Sequence, residues 1–183
     1  MSRPIDNSYV VPGAALLAGE YPGVRFGTPP RIRDAKLHQF LDTGVTAFVD
    51  LTHPDDPLDL YICRLRELAA ERGVEVTHDY LSIVDMDVCD DAFMNRVLDT
   101  IDERLAQGHR VYVHCWGGVG RTGMTVGCWL VRNGRTGDEA LDEVKTLFAT
   151  MSADKVAYFG PDGSPQTDAQ RAVVWAWAEL HTE

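Results

Sequence analysis

Residues 110–132, RVYVHCWGGVGRTGMTVGCWLVR, leave the chain little choice of local structure. RVYVH is rich in β-branched and aromatic residues and reads as a buried strand ending at His114. Cys115 to Gly120 reads as a tight turn, and Thr122–Arg132 as a helix that ends at Asn133–Gly134. A strand that enters a glycine-rich turn and opens a helix aims several backbone N–H groups at one point. The helix dipole adds positive potential there, which makes an anion site. Gly117, Gly118 and Gly120 admit backbone angles that other residues resist, so this loop can curl around a tetrahedral anion.

Around this unit, strands and helices alternate. Apolar β-favouring runs at Ala14–Ala18, Val45–Leu51, Val74–Leu81 and Val111–His114 predict four strands, the second continuous enough to be buried on both faces. Phe93, Val97, Ile101 and Leu105 repeat every four residues and predict a helix closed by Gly108. Ala35, Leu37, Phe40 and Leu41 predict a shorter helix ending at Gly44, and Leu58–Arg72 another closed by Gly73. Thr136 and Glu139 form a capping-box pattern ahead of Leu141, Val144, Leu147 and Phe148. Ser164–Pro165 is expected to open a last helix carrying Val173, Val174, Trp177 and Leu180. Thr28–Pro29–Pro30 and His53–Pro57 read as surface connections, too short to link domains. The expectation is an α/β fold: one domain over 1–183, with a central, largely parallel sheet of four to five strands and helices on both faces.

The 28 acidic residues outnumber 17 basic ones, for a formal charge of −11. That balance argues against nucleic acid or an anionic membrane as a partner, since both reward clusters of Lys and Arg. No apolar run approaches the roughly 18 residues of a membrane span. MSRPIDNSYVV has neither an apolar stretch nor a small-residue cleavage site, so no signal peptide is expected and a cytoplasmic location is the default. Cys63, Cys89, Cys115 and Cys128 form no CxxC pair and no zinc-type spacing, so neither a metal nor another cofactor is expected.

Cys115 sits at the lip of the anion cradle, where the field that attracts an anion also favours thiolate over thiol. Arg121, at the start of the helix, carries a planar fork that can bind two oxygens at once. Thr122 places a hydroxyl where it can donate to the sulfur. His114 is expected to point away from the pocket and to brace the loop. Cys128 and Cys63 read as inert packing. Gly118, Gly120 and Gly123 also spell the dinucleotide-binding GxGxxG. That pattern needs an acidic residue on a further strand about 20 residues on, where Asp138 and Glu139 instead open a helix.

HCWGGVGRTG is similar to the HCxxGxxR(S/T) loop of the protein tyrosine phosphatase superfamily and looks most like its dual-specificity branch. Its Trp-Gly-Gly start resembles cyclin-dependent-kinase-inhibitor-3-like phosphatases and their bacterial relatives. The resemblance implies metal-independent hydrolysis of a phosphomonoester, with Cys115 as nucleophile. Trp116, Gly117, Gly118, Val119 and Gly120 would then hold the phosphate through their amides, together with Arg121. It also implies a general acid on a loop upstream, in a pattern such as PIxDxxxP. LSIVDMDVC puts Asp85 on that aspartate, with Ser82 and Cys89 in place of the prolines, and Asp87 stays open as the alternative. Asp79 falls in a strand, and Asp90 or Asp91 suits a helix N-cap. Gln170 in SPQTDAQ resembles a water-positioning glutamine of related enzymes, while Thr167 with Gln170 also forms a capping box. As some family members do, Cys89 could protect Cys115 in a reversible disulfide. The loop's neutral positions, Trp116 to Val119, point towards a phosphoprotein, with phosphotyrosine first and phosphoserine or phosphothreonine admitted. Alternatives are a small phosphomonoester, inositol phosphates or phosphoinositides included, and a pseudoenzyme that binds phosphate without turnover.

Overall fold

β7, Val111–His114, lies at the centre of a five-stranded sheet, as its unbroken burial requires. The computed structural model describes residues 2–180, with side chains to Trp177. In chain order the elements are β1 (Ser8–Val11), β2 (Leu16–Gly19), β3 (Val24–Arg25), α1 (Pro30–Asp42), β4 (Ala47–Asp50), β5 (Leu58–Asp59) and α2 (Ile62–Glu71). They continue with β6 (Thr77–Tyr80), α3 (Asp91–Ala106), β7, α4 (Gly120–Arg132), α5 (Gly137–Phe148), α6 (Ala153–Phe159) and α7 (Asp168–Leu180). The sheet order is β1-β2-β7-β4-β6, parallel throughout except for the antiparallel edge strand β1.

Alternation along the strands sorts the core into two halves. Leu16, Ala18, Ala47, Val49, Val111 and Val113 face one layer, where α3, α4, α5 and α7 pack. Leu17, Phe48 and Tyr112 face the other, where α1 contributes Leu37, Phe40 and Leu41 and α2 contributes Leu65, Leu68 and Ala69. Each large apolar side chain so buried stabilises the fold by about 1.5–3 kcal/mol against exposure. The expected α/β architecture with helices on both faces is therefore the one found.

The differences are local. The helix expected over Leu58–Arg72 starts at Ile62, because Leu58 and Asp59 pair with β3 as a strand. Pro30 is the first residue of α1 rather than part of a connection, since its fixed φ is preset for a first helical turn. The last helix opens at Asp168, not at Ser164–Pro165. Thr167 and Gln170 exchange the capping bonds (3.1 and 3.2 Å), and the Ser164 hydroxyl is spent on the Val119 carbonyl (2.8 Å). Val174 and Trp177 are buried as expected, while the side chain of Leu180 lies outside the described residues. β1, β3 and α6 had no counterpart in the expectation. α6 has seven residues and fully buries none, so its one apolar pair, Val156 and Phe159, is too short a period to read.

Candidate active site

The loop after β7 is held from outside by its carbonyls. Tyr21 N–H donates to the Trp116 carbonyl (3.0 Å), Lys155 Nζ to Gly117 (2.7 Å) and the Ser164 hydroxyl to Val119 (2.8 Å). Among the described residues, no hydrogen bond engages the N–H groups of Trp116, Gly117, Gly118 or Val119. The donors are thus left for whatever the loop encloses. Gly118 has φ +71°, and a Cβ there would lie 2.2 Å from the Gly19 carbonyl carbon, so this position accepts glycine alone.

Cys115, Arg121 and Thr122 come together inside this loop, each all but fully buried. Arg121 Nη1 shares its hydrogens among Asp56 (2.9 Å) and the carbonyls of Ile83 (3.0 Å) and Leu51 (3.3 Å). Nη2 forms an ion pair with Asp85 Oδ1 at 2.8 Å, and Nε makes no hydrogen bond among the described residues. Buried guanidinium donors are seldom left in this state. Nε and Nη2 form one edge of the fork, the edge that binds two oxygens of a tetrahedral anion. Burial works against the Arg121 charge, but Cys115, Asp56 and Asp85 outweigh it and raise its pKa. The Thr122 hydroxyl is likewise buried without a partner among the described residues. Asp56 was not foreseen: it is nearly as buried as the arginine it holds, and HPDDPLD gives no local sign that its second aspartate turns inward.

Asp85 and Asp87 are separated by Met86, which has φ +65° and turns the chain sharply. A methionine held there costs about 1–3 kcal/mol. The turn sends Asp85 into the pocket wall, half-exposed and beside Arg121. Asp87 is directed elsewhere: its carboxylate accepts from Val88 N–H (2.8 Å) and its carbonyl from Gln170 Nε2 (3.0 Å). Asp79 pairs with Arg104 through two bonds of 2.8 and 2.7 Å, and Asp90 caps α3 by accepting from Phe93 N–H (2.7 Å).

Beneath the loop, His114 points away from the pocket. Its ring shares a hydrogen with the Tyr61 hydroxyl (2.8 Å), and its Nδ1 lies 3.4 Å from the Cys115 carbonyl. Burial pushes the His114 pKa down to about 4, against the pull of Asp50. Burial alone would raise Asp50, but His114, the His78 ring (3.0 Å) and two bonds from Thr52 (2.9 and 2.6 Å) bring it down to about 2. The result is a neutral imidazole resting on a buried carboxylate.

The pocket above Cys115 has a volume of about 610 Å³. Arg25, Lys36 and Lys155 all reach its wall, from β3, α1 and α6. The neutral Trp116–Val119 stretch therefore does not make the pocket neutral, because the cations arrive from elements far away in sequence. Glu20 bridges the two lysines, at 2.9 Å to Lys36 and 2.6 Å to Lys155. Burial opposes the Glu20 charge, yet the lysines win and lower its pKa.

Gln170 is fully buried against Gly120 of the loop, its amide engaged in its cap and with the Asp87 carbonyl, and Gln166 beside it lines the pocket. All four cysteines are free. Cys63 is exposed rather than packed, because α2 buries Leu65, Leu68 and Ala69 on its other face. Burial, then Asp90, push the Cys89 thiol up to about 11, which leaves it a poor thiolate for exchange with Cys115. Among the described residues no helix is long and apolar enough to cross a membrane, and no His, Cys, Asp or Glu cluster could hold a metal.

Similar structures share this architecture. Tk-PTP in its active form superposes with a TM-score of 0.66 at 24% identity, covering 94% of this chain and 97% of its own. A kinase associated phosphatase with its catalytic-site cysteine substituted by serine gives 0.67 at 19% identity, covering 90% and 86%. PTPMT1 in complex with PI(5)P gives 0.60 at 19% identity, covering 90% of each chain. The family model of the PTP-SAK, or Swiss Army Knife protein, DSP-PTPase phosphatase domain matches residues 24–174, from the β3 strand to α7 and across the whole loop. The chain belongs to that phosphatase domain family, within the dual-specificity branch of the protein tyrosine phosphatase superfamily.

Proposed function

We propose that this protein hydrolyses phosphomonoesters without a metal, through a cysteinyl-phosphate intermediate. The observation that carries the reading is Arg121 buried beside Cys115 on the phosphate loop, its Nε without a hydrogen bond among the described residues and its Nη2 held only by the half-exposed Asp85. Cys115 attacks phosphorus in line with the ester oxygen. The amides of Trp116 to Gly120 and the Arg121 edge hold the equatorial oxygens as charge spreads over them. Asp85 gives its proton to the departing oxygen, then takes one from the water that attacks the cysteinyl phosphate. Thr122 donates to the sulfur as it leaves, and inorganic phosphate is released. A phosphate dianion that takes Nη2 displaces Asp85 from Arg121 and frees it for the leaving group.

Phosphotyrosine in proteins is the first substrate class, with phosphoserine and phosphothreonine admitted by a pocket this wide. A small, multiply charged phosphomonoester is the second, favoured by Arg25 and Lys155 in the wall. The test is p-nitrophenyl phosphate turnover. Wild type is expected to turn over and to be inhibited by vanadate, and Cys115→Ser to fall to background. Undiminished turnover by Cys115→Ser would overturn the mechanism. Vanadate binding with no turnover by wild type would make the protein a phosphate reader instead.

A further inference from the structure

The pocket holds more cationic donors than one phosphate uses, and only part of their hydrogens are spent within the protein. An ammonium has three hydrogens and a guanidinium five. Lys36 Nζ gives all three away, to Glu20 (2.9 Å), the Tyr21 carbonyl (2.6 Å) and the Gly23 carbonyl (3.3 Å). Lys155 gives two, to Glu20 (2.6 Å) and the Gly117 carbonyl (2.7 Å), and keeps one. Arg25 gives none. Among the described residues its side chain has no hydrogen bond and no ion pair, and its guanidinium lies over the Trp116 ring, 4.8 Å from the centroid. That stack fixes the guanidinium plane without spending its donors.

Trp116 and Gly117 follow the nucleophile directly, so the two cations with donors to spare flank the first residues of the phosphate loop. The β3–β5 pair fixes Arg25 in register opposite Leu58, and both line the pocket. We infer that Arg25, with Lys155, forms a second anion subsite that selects substrates bearing another negative group next to the scissile phosphate. The inference rests on the phosphatase reading of Cys115 and deepens its substrate class. The shared chemistry is a second anion; it can come from an acidic residue beside a phosphotyrosine or from a second phosphate on a small molecule.

The experiment has two arms, read in wild type, Arg25→Ala and Arg25→Lys. One compares phosphotyrosine peptides with Glu or Ala beside the phosphotyrosine; the other compares a bisphosphorylated with a monophosphorylated polyol. For the doubly charged member of at least one pair, wild type is expected to show about ten-fold higher kcat/KM, carried by KM, as befits a charge-assisted contact. Arg25→Ala should abolish that ratio and Arg25→Lys should keep part of it. The arm that responds names the source. A wild-type ratio near one in both arms, or one that Arg25→Ala leaves intact, overturns the subsite. Calorimetric binding of the same ligands to Cys115→Ser reads the subsite without turnover. Charge preference there without wild-type hydrolysis would refute the catalytic reading alone.

Discussion

Asp56 is the residue on which the arrangement of Arg121 most depends. Its Oδ2 lies 2.9 Å from Nη1, with side-chain exposures of 5% and 1% for the two partners. At an effective dielectric near 20, such a pair attracts by roughly 6 kcal/mol before desolvation is charged against it. Removing one partner of a buried pair typically destabilises by about 3–5 kcal/mol. Asp85 remains 2.8 Å from the same guanidinium, and two carbonyls still accept from Nη1, so Asp56→Ala should lose about 2 kcal/mol. For a chain of this length that lowers Tm by about 4–8 °C. Activity should fall further than stability. Freed on one side, the fork can turn, and a misplacement of about 1 Å costs about 10²-fold in rate. The assay is kcat/KM on p-nitrophenyl phosphate for Asp56→Ala, Arg121→Ala and the double variant, each with its melting curve. The double variant should be no slower than Arg121→Ala, because Asp56 acts only through the arginine. Additive losses, or a folded Asp56→Ala within two-fold of wild type, would refute the reasoning.

Three further outcomes follow from the geometry. Gly118→Ala places a Cβ 2.2 Å from the Gly19 carbonyl carbon at a φ of +71°, so vanadate binding measured by calorimetry should fall at least 100-fold. Thr122→Ala should keep the first burst of p-nitrophenol but slow steady-state turnover about ten-fold in stopped flow, with Thr122→Ser restoring it. Stability should drop on mild acidification. The unfolded chain protonates His114 near 6.5 and the folded chain only near 4, so between these values protons favour the unfolded state. The His114 share of the loss from pH 7 to pH 4 is about 3 kcal/mol, and urea unfolding of wild type against His114→Asn should show a shallower slope in the variant, with the remainder from the lowered Glu20 and Asp50.

Local chemistry explains which parts of the site were legible in the sequence. The β7–loop–α4 unit, the Asp90 cap and the Thr136–Glu139 box are all decided within a few residues, and each stands where the residues put it. Asp56 meets Arg121 across 65 positions, and Lys155 meets Gly117 across 38. No short pattern announces either contact; only the closed fold makes it. Which of Asp85 and Asp87 reaches the pocket wall depends on a left-handed Met86, which no propensity favours. Arg25 is the instructive case. Judging the pocket's charge from the loop's own neutral residues overlooked a cation delivered by a two-residue strand too short to register as a period.

The central claim is that phosphorus passes through Cys115. Acid quench of the wild-type enzyme during p-nitrophenyl phosphate turnover, followed by mass spectrometry of the peptide carrying Cys115, tests it most directly. A phosphate adduct on that cysteine is expected to appear within one turnover, to decay as substrate is exhausted and to be absent from Cys115→Ser. Sustained turnover with that cysteine unmodified at every quench time, and with Cys115→Ser equally active, would contradict it.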